Sequence, residues 1–248
     1  MTVNIYQDPG IYHEDRKTSE APSFLIIHYT GTTDVIKTKD MLSGRILNDA
    51  GQKVSVHYMV DQDGTVTQFV PEDRRAYHAG VSQWEGVTDI NSHSIGIELF
   101  NPGAEHGYED FPDEQIDALI SLCQDILSRH NIPACRVLGH SDVAPGRKVD
   151  PGEKFPWQKL AQAGIGLWPQ PIQEDFNRAA LLYGDENLLK AALVEYGYDP
   201  AKDLSVLVTE FQRHFEADVF KAIPPVAGEP SPETGLKLAA LLRQKFTP

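Results

Sequence analysis

Two histidines and one aspartate in this chain have the types and surroundings needed to hold a metal ion: His28, His140 and Asp150. His28 lies at the end of the apolar run Phe24-Leu25-Ile26-Ile27, and His140 ends Cys135-Arg136-Val137-Leu138-Gly139. Side chains at strand ends stand on a rigid scaffold, which suits site chemistry. Asp150 follows His140 by ten residues, in a Gly- and Pro-rich loop that is irregular yet stiff. Two imidazoles and one carboxylate make a three-ligand set for zinc, with the fourth position left for water. The spacing is not specific by itself, and structural roles for the three stay open on spacing alone. Glu98 is the second unusual group. It interrupts the apolar segment Ser94-Ile95-Gly96-Ile97-Glu98-Leu99-Phe100. A carboxylate on a buried strand must be paired, ligand-bound or functional, and a salt bridge to Lys or Arg is the structural alternative. Alternation places Gly96, Glu98 and Phe100 on one face.

The remaining reactive residue types point elsewhere. His13, His93, His106, His130 and His214 have no partner pattern and read as surface or capping groups. His57 lies inside a strand, where a core role and a site role are equally open. The two cysteines, Cys123 and Cys135, give no disulfide framework and no CxxC, and read as buried thiols. No Gly-x-Ser-x-Gly elbow is present, so a serine nucleophile of that kind is not expected.

The elements that must position these groups can be read from periodicity. Phe24–Tyr29 is a continuous apolar run, as expected of a central strand buried on both faces. Val56–Val60 and Thr65–Val70 flank Asp61-Gln62-Asp63-Gly64, which reads as a hairpin turn. Ser94–Phe100 and Cys135–His140 supply two further strands. Ile116, Leu119, Ile120, Cys123, Ile126 and Leu127 form one apolar stripe, so a helix is expected over about 113–130, with weaker helices near 35–47 and from 155. This is an α/β (α+β) pattern: a mixed central β-sheet flanked by helices. Two Gly and two Pro in Gly164–Pro171 mark a linker. Beyond it strand signals stop, and helical stripes run through Leu188–Tyr196, Leu204–Phe215 and a segment capped by Ser231 with Pro232 next. The expected division is a domain over 1–168 and a small all-α, three-helix-type domain over 169–248.

Five blocks in order carry a family resemblance: Ile26-Ile27-His28-Tyr29-Thr30, Val56-His57-Tyr58, Tyr77-His78-Ala79-Gly80, Ser94-Ile95-Gly96-Ile97-Glu98, and Gly139-His140-Ser141-Asp142 through Gly146-Arg147-Lys148-Val149-Asp150-Pro151-Gly152. Over about residues 20–165 the chain resembles the zinc-dependent N-acetylmuramoyl-L-alanine amidases of the type-2 family. The likeness is greatest to the branch of AmiD and the AmpD homologues, which carries a C-terminal helical domain. Residues 169–248 are similar to a peptidoglycan-binding three-helix module, through Leu188…Tyr196-Gly197-Tyr198-Asp199 and Phe211-Gln212-Arg213-His214-Phe215. The resemblance implies one zinc ion per chain on His28, His140 and Asp150. It implies Glu98 and Lys148 as catalytic residues, and His78, Ala79, Gly80, Trp84, Asn101 and Tyr58 as contacts to sugar or peptide. Arg147 is expected to add a local cation for the substrate.

The implied reaction is hydrolysis of the amide between N-acetylmuramic acid, or its 1,6-anhydro form, and L-alanine. Glu98 would serve as general base and Lys148 as a cation for the oxyanion. The alternative class is a non-catalytic peptidoglycan-binding or sensing protein, against which the complete ligand and Glu/Lys set argues. Across 248 residues, 22 Lys+Arg against 36 Asp+Glu leave a formal charge of −14. Such a chain is a poor partner for nucleic acid or an anionic membrane surface. No apolar run reaches the roughly 18–20 residues of a membrane span. Met1–Asp8 has neither a basic n-region nor an apolar h-region, so it does not read as a signal peptide. A substrate of cell-wall polymer favours the cell envelope over the cytoplasm. Stem peptides are themselves rich in carboxylates, so recognition must rest on local cations and not on total charge.

Overall fold

The computed structural model describes residues 4–223 and 225–246. In chain order the elements are β1 (Ile5–Gln7), β2 (Glu14–Asp15), β3 (Phe24–Tyr29), α1 (Val35–Leu42), β4 (Tyr58–Val60), β5 (Val66–Gln68), β6 (Arg74–Arg75), β7 (Gln83–Trp84), β8 (Val87–Thr88), α2 (Ile90–His93), β9 (Ser94–Leu99), α3 (Asp113–Arg129), β10 (Val137–Gly139), α4 (His140–Val143), α5 (Trp157–Gln162), α6 (Asp175–Gly184), α7 (Glu186–Tyr196), α8 (Leu204–Phe215) and α9 (Pro232–Phe246).

Six strands form the main sheet in the order β1-β5-β4-β9-β3-β10. The β4–β5 pair is antiparallel, and every other pairing in this sheet is parallel. The hairpin turn forms where Asp-Gly stands: Asp61 N–H donates to the Thr65 carbonyl at 2.9 Å, and Gly64 takes φ +81°. A parallel centre is stable only when both faces are covered. The apolar run of β3 meets that demand by alternation. Leu25 and Ile27 face one layer, where Ile116, Leu119, Leu122, Cys123 and Ile126 of α3 pack with Trp157 and Leu160 of α5. Phe24 and Ile26 face the other, where Leu193, Leu207, Phe211, Leu238 and Leu242 cover them.

That second layer comes from beyond the expected boundary. Among the described residues beyond Trp168 there are four α-helices, α6 to α9, where three stripes are expected; α6 is the addition. They share one hydrophobic cluster with Phe24, Ile26, Trp84, Ile90, Leu138 and Val143 of the sheet region. The expected boundary at 168/169 falls in irregular backbone, yet the packing runs across it. Capping follows the local sequence: Asp34 and Asp185 accept from the first-turn amides of α1 and α7, and Ser231 Oγ accepts from Thr234 N–H at 3.1 Å at the start of α9.

Because Phe211 is fully buried in the shared cluster, Phe211→Ala should destabilise the whole chain by about 3–5 kcal/mol. Equilibrium urea unfolding should still show one transition. Two separate transitions, with only one moved, would mean that the helical layer folds apart from the sheet.

Candidate metal centre and cleft

The register of the parallel strands brings the chemistry to one edge. In β3 the alternation that points Phe24 and Ile26 at the helical layer also sends His28 to that side, at the strand's C-terminal end. Its neighbour β9 pairs Ile26 with Gly96 and His28 with Glu98. β10 pairs with β3 on the opposite side, and His140 follows directly. The carboxyl ends of parallel strands are where open α/β sheets place ligand sites. His140 does not end a strand, as expected from sequence, but opens the single helical turn α4.

The three donor atoms converge. His28 Nδ1 and His140 Nδ1 lie 3.0 Å apart, and each lies 3.0 Å from Asp150 Oδ2. All three residues are buried. Zinc ligands at bond lengths of about 2.0–2.1 Å in tetrahedral array stand about 3.3 Å from one another, so the donor set fits such an ion closely. Burial, then the nearby His140, lowers the His28 pKa to about 4, so its ring is neutral and its lone pair free. Burial opposes ionisation of Asp150, but His140 and His28 outweigh it and hold the carboxyl far below its ordinary range. A neutral imidazole at His28 and a carboxylate at Asp150 are protonation states that metal ligation needs.

The outer nitrogens of both rings are fixed. His28 Nε2 meets His78 Nδ1 at 2.9 Å, and His78 Nε2 meets Ser94 Oγ at 3.1 Å. With His28 Nδ1 as ligand, Nε2–H donates to His78, which donates onward to Ser94. His140 Nε2 donates to the Ala79 carbonyl at 3.0 Å. Arg147 Nη2 donates to the same carbonyl at 2.7 Å, and Asn91 Oδ1 accepts from the amides of His78 and Ala79. Gly96 makes room for this arrangement, because a Cβ there would stand 2.6 Å from His78 Cγ. Below lies His57, whose Nδ1 accepts from Gly96 N–H at 3.0 Å, so Nε2–H donates to the Arg74 carbonyl at 3.1 Å. Burial, then the Arg16 charge, depresses its pKa to about 3.

A cleft of about 560 Å³ opens over the centre, lined in part by Tyr29, Asn48, Tyr77, Glu98, Lys148 and Asp150. Glu98 Oε2 is buried with no hydrogen-bond partner among the described residues. Burial, reinforced by Asp150 and opposed by Lys148, raises the Glu98 pKa well above its ordinary value. In the protein alone desolvation outweighs the nearby Lys148 charge.

Of the residues expected to contact substrate, His78 and Arg147 line the cleft. The others stand elsewhere. Tyr58 pairs in register with Ile97 and points into the α3 layer, where its hydroxyl donates to Glu72 at 2.7 Å. Ala79 is buried and offers its carbonyl to His140, while Gly80 lies on the exposed side of that loop beside the Arg147 guanidinium. Trp84 is fully buried between Tyr196 and Tyr198. Asn101 is buried too, its side chain spent on the Glu109 carbonyl and the Gly103 amide. His214, read as a surface or capping group, is buried as well. The wall formed by Asn48–Ala50 carries no signal in the sequence, because those residues come from an irregular segment without period.

The buried imidazoles set a direction for acid sensitivity. His28 and His57 hold depressed pKa values of about 4 and about 3, against an ordinary 6.5. The unfolded chain therefore binds more protons below about 6.5. The contribution of these two imidazoles to the stability of the metal-free protein should be full above that pH and fall as pH drops toward 4, and with two such groups it should outweigh the opposite trend from Glu98. Urea midpoints at pH 7.5 and pH 5 check this, and a higher midpoint at pH 5 would contradict it.

Comparison with known proteins places the whole chain. The N-acetylmuramoyl-L-alanine amidase family model (Amidase_2) matches residues 18–153. The chain is 34% identical to N-acetylmuramoyl-L-alanine amidase AmiD of Escherichia coli, over 97% of this chain and 91% of that protein. It is 34% identical to the 1,6-anhydro-N-acetylmuramyl-L-alanine amidase AmpD of Enterobacter cloacae, over 61% of this chain and 86% of that protein. The solved complex of Escherichia coli AmiD with the substrate anhydro-N-acetylmuramic acid-L-Ala-D-gamma-Glu-L-Lys superposes with a TM-score of 0.76, covering 93% of this chain and 92% of that one. AmpDh3 of Pseudomonas aeruginosa, solved with anhydromuramic pentapeptide, gives 0.78 at 30% identity, covering 96% and 97%. By the family match over residues 18–153 and the 34% identity to AmiD across 97% of this chain, the chain belongs to the N-acetylmuramoyl-L-alanine amidase family.

Proposed function

We propose that this chain hydrolyses the amide bond between N-acetylmuramic acid, or its 1,6-anhydro form, and L-alanine, with one zinc ion on His28, His140 and Asp150. The observation that carries the reading is the convergence of three buried donor atoms within 3.0 Å of one another beside an unpartnered carboxylate. A bound zinc ion supplies a lowered water pKa and polarisation of the scissile carbonyl. The chain's own residues do the rest. Glu98 takes a proton from the attacking water and returns it to the departing L-alanine amine. A raised pKa suits the second half of that cycle, delivery of the proton, and a zinc ion held nearby would favour the ionised form that the first half needs. Lys148 faces the same cleft and makes no salt bridge among the described residues, which leaves its ammonium for the oxyanion of the tetrahedral intermediate. His78 and Arg147 contribute from the cleft wall. The structures of AmiD and AmpDh3 with anhydromuramyl peptides support a muropeptide as the ligand of this cleft.

We further propose that residues 169–248 contribute binding to the polymer through the exposed face of α6, where Phe176 and Tyr183 stand out to solvent. Their inner face is committed to the sheet, so substitution and not truncation is the appropriate probe.

Release of stem peptide from soluble anhydro-muropeptides tests the reading. Activity should vanish with chelation and return with zinc. Glu98→Ala should keep one zinc per chain and lose turnover by about 10²–10⁴-fold. Asp150→Ala should lose the metal itself. Turnover that survives verified zinc removal, or near-normal rates in Glu98→Ala, would refute the mechanism; bound zinc without any hydrolysis would favour a peptidoglycan-binding protein.

A further inference from the structure

The ligand His140 is followed by a buried carboxylate that the reaction does not use. Asp142 accepts three hydrogen bonds: from Gly139 N–H at 2.8 Å, from the Tyr198 hydroxyl at 2.7 Å and from His214 Nδ1–H at 2.8 Å. The first is local and caps α4, the turn that His140 opens. The other two come from the helical layer, 56 and 72 residues away in sequence. His214 has no rotational freedom there, because its ring is stacked between Trp157 and Phe215 at 3.8 and 3.9 Å.

The same helix touches the ligand loop on both sides of Asp150. Val206 Cγ1 stands 3.0 Å from where a Cβ on Gly146 would lie, and Arg213 Nη1 binds Glu153 at 2.5 Å. Ser141 N–H donates to the Asp150 carbonyl at 3.0 Å and ties the two ligand segments together. Thus α8 touches this stretch at Asp142, Gly146 and Glu153, and at Asp142 its His214 meets Tyr198 from the segment between α7 and α8.

We infer that Tyr198 and His214 are positioning residues for the metal centre, acting through Asp142 on the orientation of His140. The helical layer is then a working part of the centre as well as a cover for the sheet. A buried carboxylate with three donors has one orientation; with a donor removed it can rotate, and the α4 turn loses its fixed start. Outer groups that orient metal ligands commonly change metal affinity by about 10–100-fold.

The identity of the ion and reaction rests on the proposed function, but the primary readout does not need turnover. Zinc dissociation constants are measured by competition with a chromogenic chelator for the full chain, Tyr198→Phe, His214→Leu and His214→Asn. Tyr198→Phe removes one hydroxyl and keeps the ring packing, so it guards against simple misfolding. Asn can present an N–H where His214 presents Nδ1–H, so it is the rescue variant. Leu188→Ala, on the exposed side of α7, is the control. The expected result is zinc binding weakened about 10-fold or more in Tyr198→Phe and His214→Leu, near-normal in His214→Asn and unchanged in the control. On soluble muropeptide kcat should fall with KM within about twofold. Unchanged zinc affinity in folded Tyr198→Phe and His214→Leu, whatever their melting temperatures, would overturn the inference. If zinc affinity shifts as expected while the unaltered chain cleaves no muropeptide, the positioning role stands and the proposed reaction fails.

Discussion

Three donor atoms shielded from water and 3.0 Å apart must be held in one protonation state and one orientation from behind. Much of the surrounding structure answers to that requirement. His28 is fixed through His78 and Ser94, and His140 through the Ala79 carbonyl. The loop that carries Ala79 is held in turn by Asn91 and Arg147. Gly96 can have no Cβ, since His78 occupies that space. Each is a small local demand, and together they specify residues on five separate segments of the chain.

The parallel sheet is what makes such convergence affordable. Its strands end together, so residues 28, 98 and 140, distant in sequence, arrive at one edge without long loops. The cost is that both faces must be covered. One is covered by α3 and α5, the other by the helices beyond Trp168. A segment that composition alone sets apart therefore completes the core and reaches the ligand loop through Asp142. Within an acidic chain, cations are nonetheless gathered here: Lys148 and Arg147 line the cleft, and Arg16 lies under His57.

Strong periodicity and strand-end chemistry were legible before any coordinates. The run Phe24–Tyr29, the hairpin at Asp61–Gly64, the α3 stripe and the donor trio all stand where the residues suggested. Substrate contacts were not legible in the same way. Tyr58 and Trp84 are aromatic and lie near motif blocks, yet the pleat turns Tyr58 away and the helical layer buries Trp84. Direction, not neighbourhood, decides what faces a cleft, and one sequence reveals direction only inside a regular element. His214 and Asp142 escaped for a related reason. Their pairing spans 72 residues and depends on how α8 docks, which no local pattern encodes. Helix α6 lacked a clean stripe because it exposes Phe176, Leu181 and Tyr183 on its outer side.

The central claim is that the two imidazoles and one carboxylate hold zinc together. Zinc-edge X-ray absorption on the metal-loaded chain tests it without reference to turnover. The account predicts two imidazoles and oxygen donors at about 2.0–2.1 Å, with one imidazole lost in His140→Ala. A sulfur shell, or an imidazole count that His140→Ala leaves unchanged, would contradict it.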